Sequence, residues 1–424
     1  MKDNLPDHDA LPVLSQGELN DILEKHVMYL RGQIGGVRAV VQYQDLSGLR
    51  FGRADINGAD FTASKLAGAD LSGCYAHTAI FFACDLRDVD FRDAVLTRCD
   101  LRGAYVAGAD LTGADLAEAD MRMGKIMQRG ANGLLEDRAR AGGDGAQTVF
   151  KGAKLSAANL RDSRVYGADF SDSDMSHADM KFADMEDANF RGANMSDTDL
   201  TGANLTQANM TQAVLSGTVF AQNESMGLRD DGAITNANSG HLLERLGASL
   251  ESLLSEHMRW VESEGADGRQ LDLSGYDLRE VADLQRYSMT AICAKGANFL
   301  GQNMRGIAMQ SAVLDGADLR DCDLRQADLR GSRFQRALLT RVNLRGARLC
   351  ALEFANEDGT KRLQPVNMSG ANLRFADLAG ADLRGCILMG VDFASADLRG
   401  ADLTGADLKN AKIDDARMDG AVGV

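Results

Sequence analysis

The stretch that decides the fold is Ala-Asp-Leu-Arg-Gly-Ala-Asp-Leu-Thr-Gly-Ala-Asp-Leu-Lys-Asn-Ala-Lys-Ile, residues 396–413. A large apolar residue, which we call the centre, recurs in it every five residues. A small residue stands two positions before each centre, and a polar residue, mostly Asp, lies between the two. A helix with one stable apolar face needs spacings of three and four, so a strict period of five excludes a helix.

The five positions of one unit predict a very short strand followed by a corner. Strand side chains alternate between two faces, so the small residue and the centre point inward and the polar residue points outward. The other two positions are Gly or polar, which suits a tight turn. We name the five, in chain order, the small position, the ladder position, the centre, the first corner and the second corner. The pattern predicts an all-β repeat protein.

These Ala-Asp/Asn-Leu-x-x units resemble the pentapeptide-repeat proteins. The resemblance implies a right-handed quadrilateral β-helix, a solenoid with four units in each coil. Residues 20 apart would then lie on the same face of successive coils.

The pattern divides the chain into repeats, helices and insertions. Each half begins with helical apolar spacing, and the two halves match at a constant offset of 231, as Leu19 with Leu250 and His26 with His257. We interpret both helices as lids over a first coil, and both histidines as lid residues. The predicted segments are a disordered tail and first capping helix at 1–45, a first solenoid at 46–220 with an insertion at 122–147, a linker and second capping helix at 221–270, and a second solenoid at 271–424 with a hairpin at 355–365.

Local signals refine these segments. Ser15 and Glu18 form a capping-box pattern for a helix from about 17 to 31, after a tail at 1–14. Asn-Gly at 132–133 and Asp-Gly at 358–359 predict hairpin turns, and 138–147 a mobile loop. One additional residue shifts the register between the centres Leu278 and Leu284.

Composition argues against catalysis. The chain has 424 residues, 45 of them Gly, and a net charge of −16. It carries no catalytic or phosphate-binding motif, so we expect no enzyme activity, cofactor or metal site. No N-terminal apolar run or membrane span is present, which predicts a soluble cytoplasmic protein. Five of the seven cysteines occupy small positions and are predicted to be buried: Cys74, Cys84, Cys99, Cys322 and Cys386.

Two sets of charged residues 20 apart are candidates for partner binding. The acidic set, Asp70, Asp90 and Asp110, is either a cation site, a DNA-like acidic stripe or an ordinary solvated column. The basic set, Arg305, Arg325 and Arg345, could dock an acidic partner, phosphate groups or the acidic half of another chain. Alternatively, its arginines pair with nearby aspartates such as 323 and 328. Residues 271–354 carry a net +2 and residues 46–121 a net −5.

We expect a non-catalytic protein-interaction scaffold that binds a protein partner and does not bind nucleic acid directly. The alternative is a DNA-mimicking modulator of a type II topoisomerase, gyrase, because some proteins of the resembled family act in that way. The last coil has no predicted lid, which predicts a homodimer through that coil.

Overall fold

The structure is a computed structural model. It describes residues 11–124, 147–355 and 361–423, together with the backbone of 127–129 and 135–137. The chain forms two compact units, Met1–Asn238 and Ser239–Val424. Helix α1 is Gln16–Leu30, strands β1 and β2 are Met127–Arg129 and Leu135–Asp137, helix α2 is Leu250–Glu262, and strands β3 and β4 are Leu352–Ala355 and Lys361–Gln364.

Each five-residue unit has the predicted inward and outward faces. In the unit at Ala396–Gly400, the small residue and the centre Leu398 are buried, and Asp397 between them is bridged to residues 20 before and 20 after it. The Asp397 N–H donates to the Ala376 carbonyl at 2.8 Å, and the Leu398 N–H donates to the carbonyl of residue 417 at 2.8 Å. Each coil therefore contains four units, stacked through parallel bridges, and the predicted repeat β-solenoid is confirmed.

The second corner position needs a left-handed backbone. Gly400 has a φ of 65° there, which glycine adopts without steric cost. Asn410 takes the same conformation with a φ of 59°, in keeping with the tolerance of Asn for this region. This requirement explains why Gly recurs at the end of so many units.

The first unit carries bridges from Val13 to Ile234, which exceeds the predicted range of 46–220 in both directions. At the beginning, the backbone of Val13 pairs with Asp45, and Val40 pairs with Asp60. The prediction of a disordered tail up to residue 14 is therefore wrong for Val13 and Leu14, whose N–H donates to the Asp45 carbonyl at 2.9 Å.

The boundary at residue 220 is also wrong, because the last coil has polar centres. Ser225, Asp230 and Thr235 stand at positions that are apolar elsewhere, so the period is lost from the sequence. The backbone bridges nevertheless continue, and the Met210 N–H donates to the Arg229 carbonyl at 2.6 Å. A terminal coil has a neighbour on one side only, so its polar centres reach solvent. Three of the four centres of this last coil are thus polar, as in capping repeats, and the fourth, Phe220, is 45% exposed.

The predicted insertion in the first unit contains an antiparallel pair of strands. Strand β1 pairs with β2 in the register Met127↔Asp137 and Arg129↔Leu135. The turn at 132–133 and most of the predicted loop at 138–147 lie outside the described residues. The solenoid then resumes in phase, since Tyr105 bridges to Val149.

The second unit has its own solenoid and hairpin. Its bridges run from His241 to Val422, and strands β3 and β4 form an antiparallel hairpin between Arg348 and Asn367. The period of five also predicts a centre at Phe354, and this prediction is wrong, because the residue lies in β3 with 39% of its surface exposed. It follows Leu349 by five residues, so the spacing alone was misleading. The predicted turn at 358–359 lies outside the described residues.

The two helices cover apolar ends as lids. Helix α1 begins at the predicted capping box, in which Ser15 and Glu18 bond reciprocally, and its Leu19 joins the same core as Leu46. In the second unit, Leu254 of α2 packs in the core that contains Leu273. The apolar stripes that the sequence placed at matching positions therefore bury against the first coil of their own unit.

A buried histidine fastens each lid to its coil. The Ala39 N–H donates to Nδ1 of His26 at 3.0 Å, and the Leu271 N–H donates to Nδ1 of His257 at 3.1 Å. Nε2 of His257 lies 2.8 Å from the Thr290 carbonyl, to which it donates. Both rings are fully buried, and burial lowers the pKa of both imidazoles. These contacts require a neutral ring with an unprotonated Nδ1.

We predict that Leu383→Asp unfolds part of the second unit. Leu383 is fully buried, and an unpaired charge at this site should lower the free energy of unfolding by about 4 kcal/mol or more. Leu383→Met keeps the volume and should cost less than about 1.5 kcal/mol. Urea unfolding of both variants measures the difference, and equal midpoints would contradict the inward position.

We also predict that the lids weaken in mild acid. With folded-state pKa values below the ordinary 6.5, the histidines contribute stability that is complete above pH 6.5 and is lost as the pH falls towards their lowered values. Asp55 raises and Arg38 lowers the pKa of His26, and neither reverses the effect of burial. The melting temperature should therefore decline as the pH is lowered from 6.5.

The control for this experiment is the double variant His26→Asn, His257→Asn. An amide oxygen can accept the same N–H bonds without titrating. The variant should melt lower than the wild type at pH 7 but independently of pH in that window. A slope that persists in the variant would assign the titration to other groups.

Candidate functional site

The predicted acidic set lies in three adjacent coils of the first unit. Bridges join Asp70 to Asp90 and Asp90 to Asp110, so all three occupy one column of ladder positions. The column continues with Lys154, whose Nζ lies 3.5 Å from an Asp110 carboxylate oxygen. The carboxylates are thus stacked, but the column does not stay acidic.

Each of these carboxylates is engaged by its own unit. Oδ1 of Asp70 accepts bonds from the N–H and the hydroxyl of Ser72, at 3.1 and 2.7 Å. Asp110 is bonded in the same way by Thr112, at 3.1 and 2.6 Å. Asp90 is bonded by Arg92, and this side-chain hydrogen bond is the main cause that lowers the pKa of Asp90. The geometry matches a paired polar column rather than an open anionic stripe.

The same Asx-type turn recurs throughout the solenoids. The ladder side chain accepts the backbone N–H two residues later, which orders the corner that follows. This structural role explains why the ladder position is Asp or Asn. Examples in both units are Asp45, Asp55, Asp60, Asp85, Asp115, Asn159, Asn209, Asp272, Asn303, Asp377 and Asp402.

Where Arg follows a ladder Asp by two residues, the pair forms an additional clamp. Asp382 accepts from Nε and Nη2 of Arg384, both at 2.8 Å, and this contact is the main cause that lowers the pKa of Asp382 to about 2. Such bidentate geometry is the strong form of a charged hydrogen bond. The pairs with this clamp are Asp85–Arg87, Asp90–Arg92, Asp100–Arg102, Asp120–Arg122, Asp277–Arg279, Asp318–Arg320, Asp323–Arg325, Asp328–Arg330, Asp382–Arg384 and Asp397–Arg399.

The basic set occupies one row of first-corner positions in the second unit. Its ladder residues Asn303, Asp323 and Asn343 bridge in sequence. Arg325 is clamped by Asp323, which is the pairing that the sequence analysis gave as the alternative to partner binding. Arg305 and Arg345 follow an asparagine, which accepts their backbone N–H at 3.3 and 3.2 Å but offers no carboxylate.

The two arginines after asparagine are therefore the ones without a clamp in their own unit. Arg305 is exposed and has no ion pair within the part of the chain that the structure describes. Arg345 is about half exposed and reaches only Asp377, at 3.3 Å. Neighbouring arginines are paired more tightly, and Arg320 and Arg341 are almost fully buried against Asp318 and Asp321. The row thus contains two outward guanidinium groups on either side of a clamped one.

Sequence reasoning treated the three arginines of this row as equivalent. The signal that separates them is the ladder residue two positions earlier, Asp or Asn. Three further arginines also follow an asparagine by two residues, Arg161, Arg191 and Arg374, but Arg161 pairs with Asp179 at 3.2 Å, so the absence of a clamp does not by itself leave an arginine unpaired.

The last coil of the second unit forms an apolar end. Its centres Leu408, Ile413 and Met418 line an open cavity of about 180 Å³ together with Leu398 and Leu403 of the preceding coil. Ile413 is 46% exposed. This coil differs from the last coil of the first unit, in which three of the four centres are polar.

A metal-binding cluster and a membrane-spanning helix are both absent from the residues that the structure describes. These residues contain no group of three or more His, Cys, Asp or Glu side chains arranged to hold a metal ion. Nor does any described helix have the length and apolar character to cross a membrane.

The repeats match one family model over more than half of the chain. The model, described as pentapeptide repeats, occurs in eight copies, at residues 45–81, 84–122, 153–192, 193–222, 295–331, 317–351, 367–405 and 386–422. The chain belongs to the pentapeptide-repeat family. No curated protein matches it.

Solved structures of pentapeptide-repeat proteins are also similar to this one. Full-length QnrB1, a plasmid-mediated fluoroquinolone resistance protein, is 18% identical over 49% of this chain and 90% of that chain, with a TM-score of 0.29. HetL from the cyanobacterium Nostoc sp. strain PCC 7120, involved in heterocyst differentiation regulation, is 20% identical over 94% of this chain and 96% of that chain, with a TM-score of 0.12. TM-scores this low carry no argument about function.

We predict that the cost of breaking a clamp in this pentapeptide-repeat protein depends on burial. Asp318→Asn keeps the corner turn but removes the carboxylate from a buried guanidinium, and it should lower the free energy of unfolding by about 3 kcal/mol. Asp90→Asn makes the same change at an exposed clamp and should cost less than about 1 kcal/mol. Urea unfolding at pH 7 compares the two, and equal costs would show that burial does not set the strength of the clamp.

Proposed function

We propose that this protein is a non-catalytic interaction scaffold that docks an acidic protein partner on the row of Arg305, Arg325 and Arg345. The observation that supports it is the replacement of Asp by Asn before Arg305 and Arg345. In the Asp-x-Arg units the clamp neutralises the guanidinium within its own unit. Arg305 has no such ion pair in the described chain, and Arg345 is held only by a longer contact to Asp377 at 3.3 Å.

The spacing of the row suits a rigid docking surface. Coils lie about 4.8 Å apart, so Arg305 and Arg345, two coils apart, would present two cations separated by roughly 10 Å. The backbone of Asp323, which lies between the two arginines along the row, is bridged to Asn303 in the coil before it and to Asn343 in the coil after it. Little conformational entropy would be lost when a partner binds such a surface.

The proposal includes the finer description of the solenoid. We take the coils to be right-handed and four-sided, because connections between parallel strands of one sheet are overwhelmingly right-handed. We also propose that the two domains expected from the sequence are two such solenoids, each with its own lid helix. Their limits are those of the backbone bridges, Val13 to Ile234 and His241 to Val422.

DNA mimicry of the kind that modulates gyrase is the second candidate. The stacking of Asp70, Asp90 and Asp110 supports it, and the net charge of −16 agrees with it. Arg92 and Lys154, however, neutralise part of that column. A mimic of duplex DNA needs an uninterrupted anionic surface, so this candidate ranks below the scaffold.

The apolar last coil supports a homodimer as part of the proposed assembly. Its exposed centres would be buried if the last coils of two chains met. The polar last coil of the first unit indicates that the same fold can end without such a surface.

We predict that changing Arg305, Arg325 and Arg345 together to Glu abolishes capture of a specific partner from extract of the native cell. The row would then repel an acidic surface. The matched control changes Lys295, Lys409 and Lys412 to Glu, which alters the net charge equally on exposed residues of the same unit. Quantitative mass spectrometry of the captured proteins is the measurement.

Three results of this experiment are informative. Loss of one partner with the arginine variant alone supports the scaffold. Equal recovery with both variants contradicts the proposed surface. Recovery of topoisomerase subunits with both variants, followed by inhibition of supercoiling by the purified wild type, would favour DNA mimicry instead.

We predict that Ile413→Asp converts the proposed dimer into a monomer. The substitution adds two charges to the interface while the side chain stays partly exposed, so folding should be retained. Sedimentation equilibrium at micromolar concentration measures the mass. A wild-type mass equal to one chain would contradict the dimer.

A further inference from the structure

The first coil of the second unit is interrupted by one additional residue. Leu278 and Leu284 are successive buried centres, but they are six residues apart instead of five. Asp283, which would be the ladder residue before Leu284, has a φ of 54°, and a 3-10 turn at Leu284–Arg286 follows it. No bridge joins Asp283 to Asn303 in the described chain, although Asn303 bridges normally to the coil after it.

This interruption leaves an unpaired strand edge at Asn303. In a complete coil, the N–H and C=O of the ladder residue both bond to the preceding coil, as the Asp323 N–H does to Gln302 at 3.0 Å and its C=O to Met304 at 2.8 Å. Neither backbone group of Asn303 has such a partner among the described residues. Asn303 is exposed, so its N–H and C=O present one open pairing site.

The edge extends to the next face of the same coil. The Ala308 N–H also lacks a backbone partner in the described chain, while its C=O is bonded by the Met289 N–H at 2.8 Å. On the inner side, the Gln302 amide donates to the Leu278 carbonyl at 3.0 Å. The core below the interruption is therefore closed, and the unpaired groups lie at the outer edge.

The available arginine of this coil lies beside that edge. Arg305 follows Asn303 by two residues and has no ion pair in the described chain, whereas Arg279 is clamped by Asp277. A groove of about 410 Å³ adjoins the irregular turn, and its lining is mixed, with apolar side chains such as Leu254 and charged ones such as Glu251 and Arg286. An unclamped cation and an open strand edge thus lie together at the interruption.

We infer that this interruption receives an extended acidic segment of the partner protein, which adds as a strand at Asn303 and places a carboxylate against Arg305. The inference rests on the proposed function, since it specifies how the partner engages the arginine row. Strand addition supplies affinity through main-chain hydrogen bonds and specificity through side chains. The exposed guanidinium of Arg305, which has no ion pair in the described chain, favours an acidic segment over a neutral or basic one.

Deletion of Val281 tests the edge itself. It produces Leu-Arg-Glu-Ala-Asp-Leu, which restores the five-residue spacing between the two centres and places Glu280 at the second corner, where Glu118 already adopts a φ of 58° in the first unit. The bridge from residue 283 to Asn303 should then form. Amide hydrogen exchange at Asn303 should be fast in the wild type and at least about tenfold slower in the deletion variant. Glu280→Gln keeps the length and should exchange as the wild type does.

Binding of a fluorescent peptide of alternating Asp and Thr tests the occupant. The peptide should bind the wild type and protect the Asn303 amide from exchange. It should bind the deletion variant about tenfold more weakly, because the edge groups are already used. Arg305→Gln leaves the fold intact and should also weaken binding. A peptide with Asn in place of Asp should bind more weakly than the acidic one.

Several outcomes would overturn the inference. They are equal affinity for the wild type and the deletion variant, an Asn303 amide that the peptide does not protect, and equal binding of the acidic and neutral peptides. If the cellular partner is lost with the triple arginine variant but retained by the deletion variant, the proposed function stands and the strand addition fails. If the triple variant retains the partner, the proposed surface fails whatever the deletion does.

Discussion

The structure depends on the pair of backbone hydrogen bonds that each ladder residue and its following centre make to neighbouring coils. A five-residue unit has too little apolar surface to offset the entropy of ordering it. Only stacking supplies the remaining stability, through these bonds and a continuous core. Because the bonds involve the backbone alone, they persist where the side chains depart from the pattern, as at Ser225 and Asp230. For the same reason, one additional residue near Glu280 is enough to interrupt them.

Electrostatics follows from the same repeat. Stacking places identical ladder positions in adjacent coils, which would bring carboxylates together in long columns. The chain relieves this repulsion in three ways: by Arg two residues later, by Asn in place of Asp, and by a Lys in the next coil. The Asn209 amide, for example, donates to Asn189, and the Asn189 amide donates to Asp169. The net charge of the protein therefore says little about the charge of any one face.

The sequence predicts the repeat very well and its exceptions poorly. The period of five from 396 to 413, the capping box at Ser15 and the inward cysteines each follow from local patterns, and the structure contains all of them. The coil beyond residue 220 could not be predicted from apolar periodicity, because its centres are polar. Phe354 was misassigned because it has the right spacing but belongs to a hairpin strand.

The arrangement of the charged surface could be predicted from the sequence only in part. That Arg325 is clamped and Arg305 is not can be predicted from the residue two positions earlier, once the clamp is known. The open edge at Asn303 could not be predicted, because it depends on which backbone groups of another coil fail to meet it. Only the irregular spacing between Leu278 and Leu284 gave a local sign of it.

The Asp-x-Arg clamp has a consequence for how such a chain grows. Both charges of the clamp lie in one five-residue unit, so a duplicated unit arrives already neutral and already carries the turn that shapes its own corner. Copies can accumulate without a compensating change elsewhere in the protein. A later change of a single Asp to Asn then releases one arginine from its clamp. New recognition surfaces can thus arise by point mutation on a solenoid that gains units without a change in its net charge.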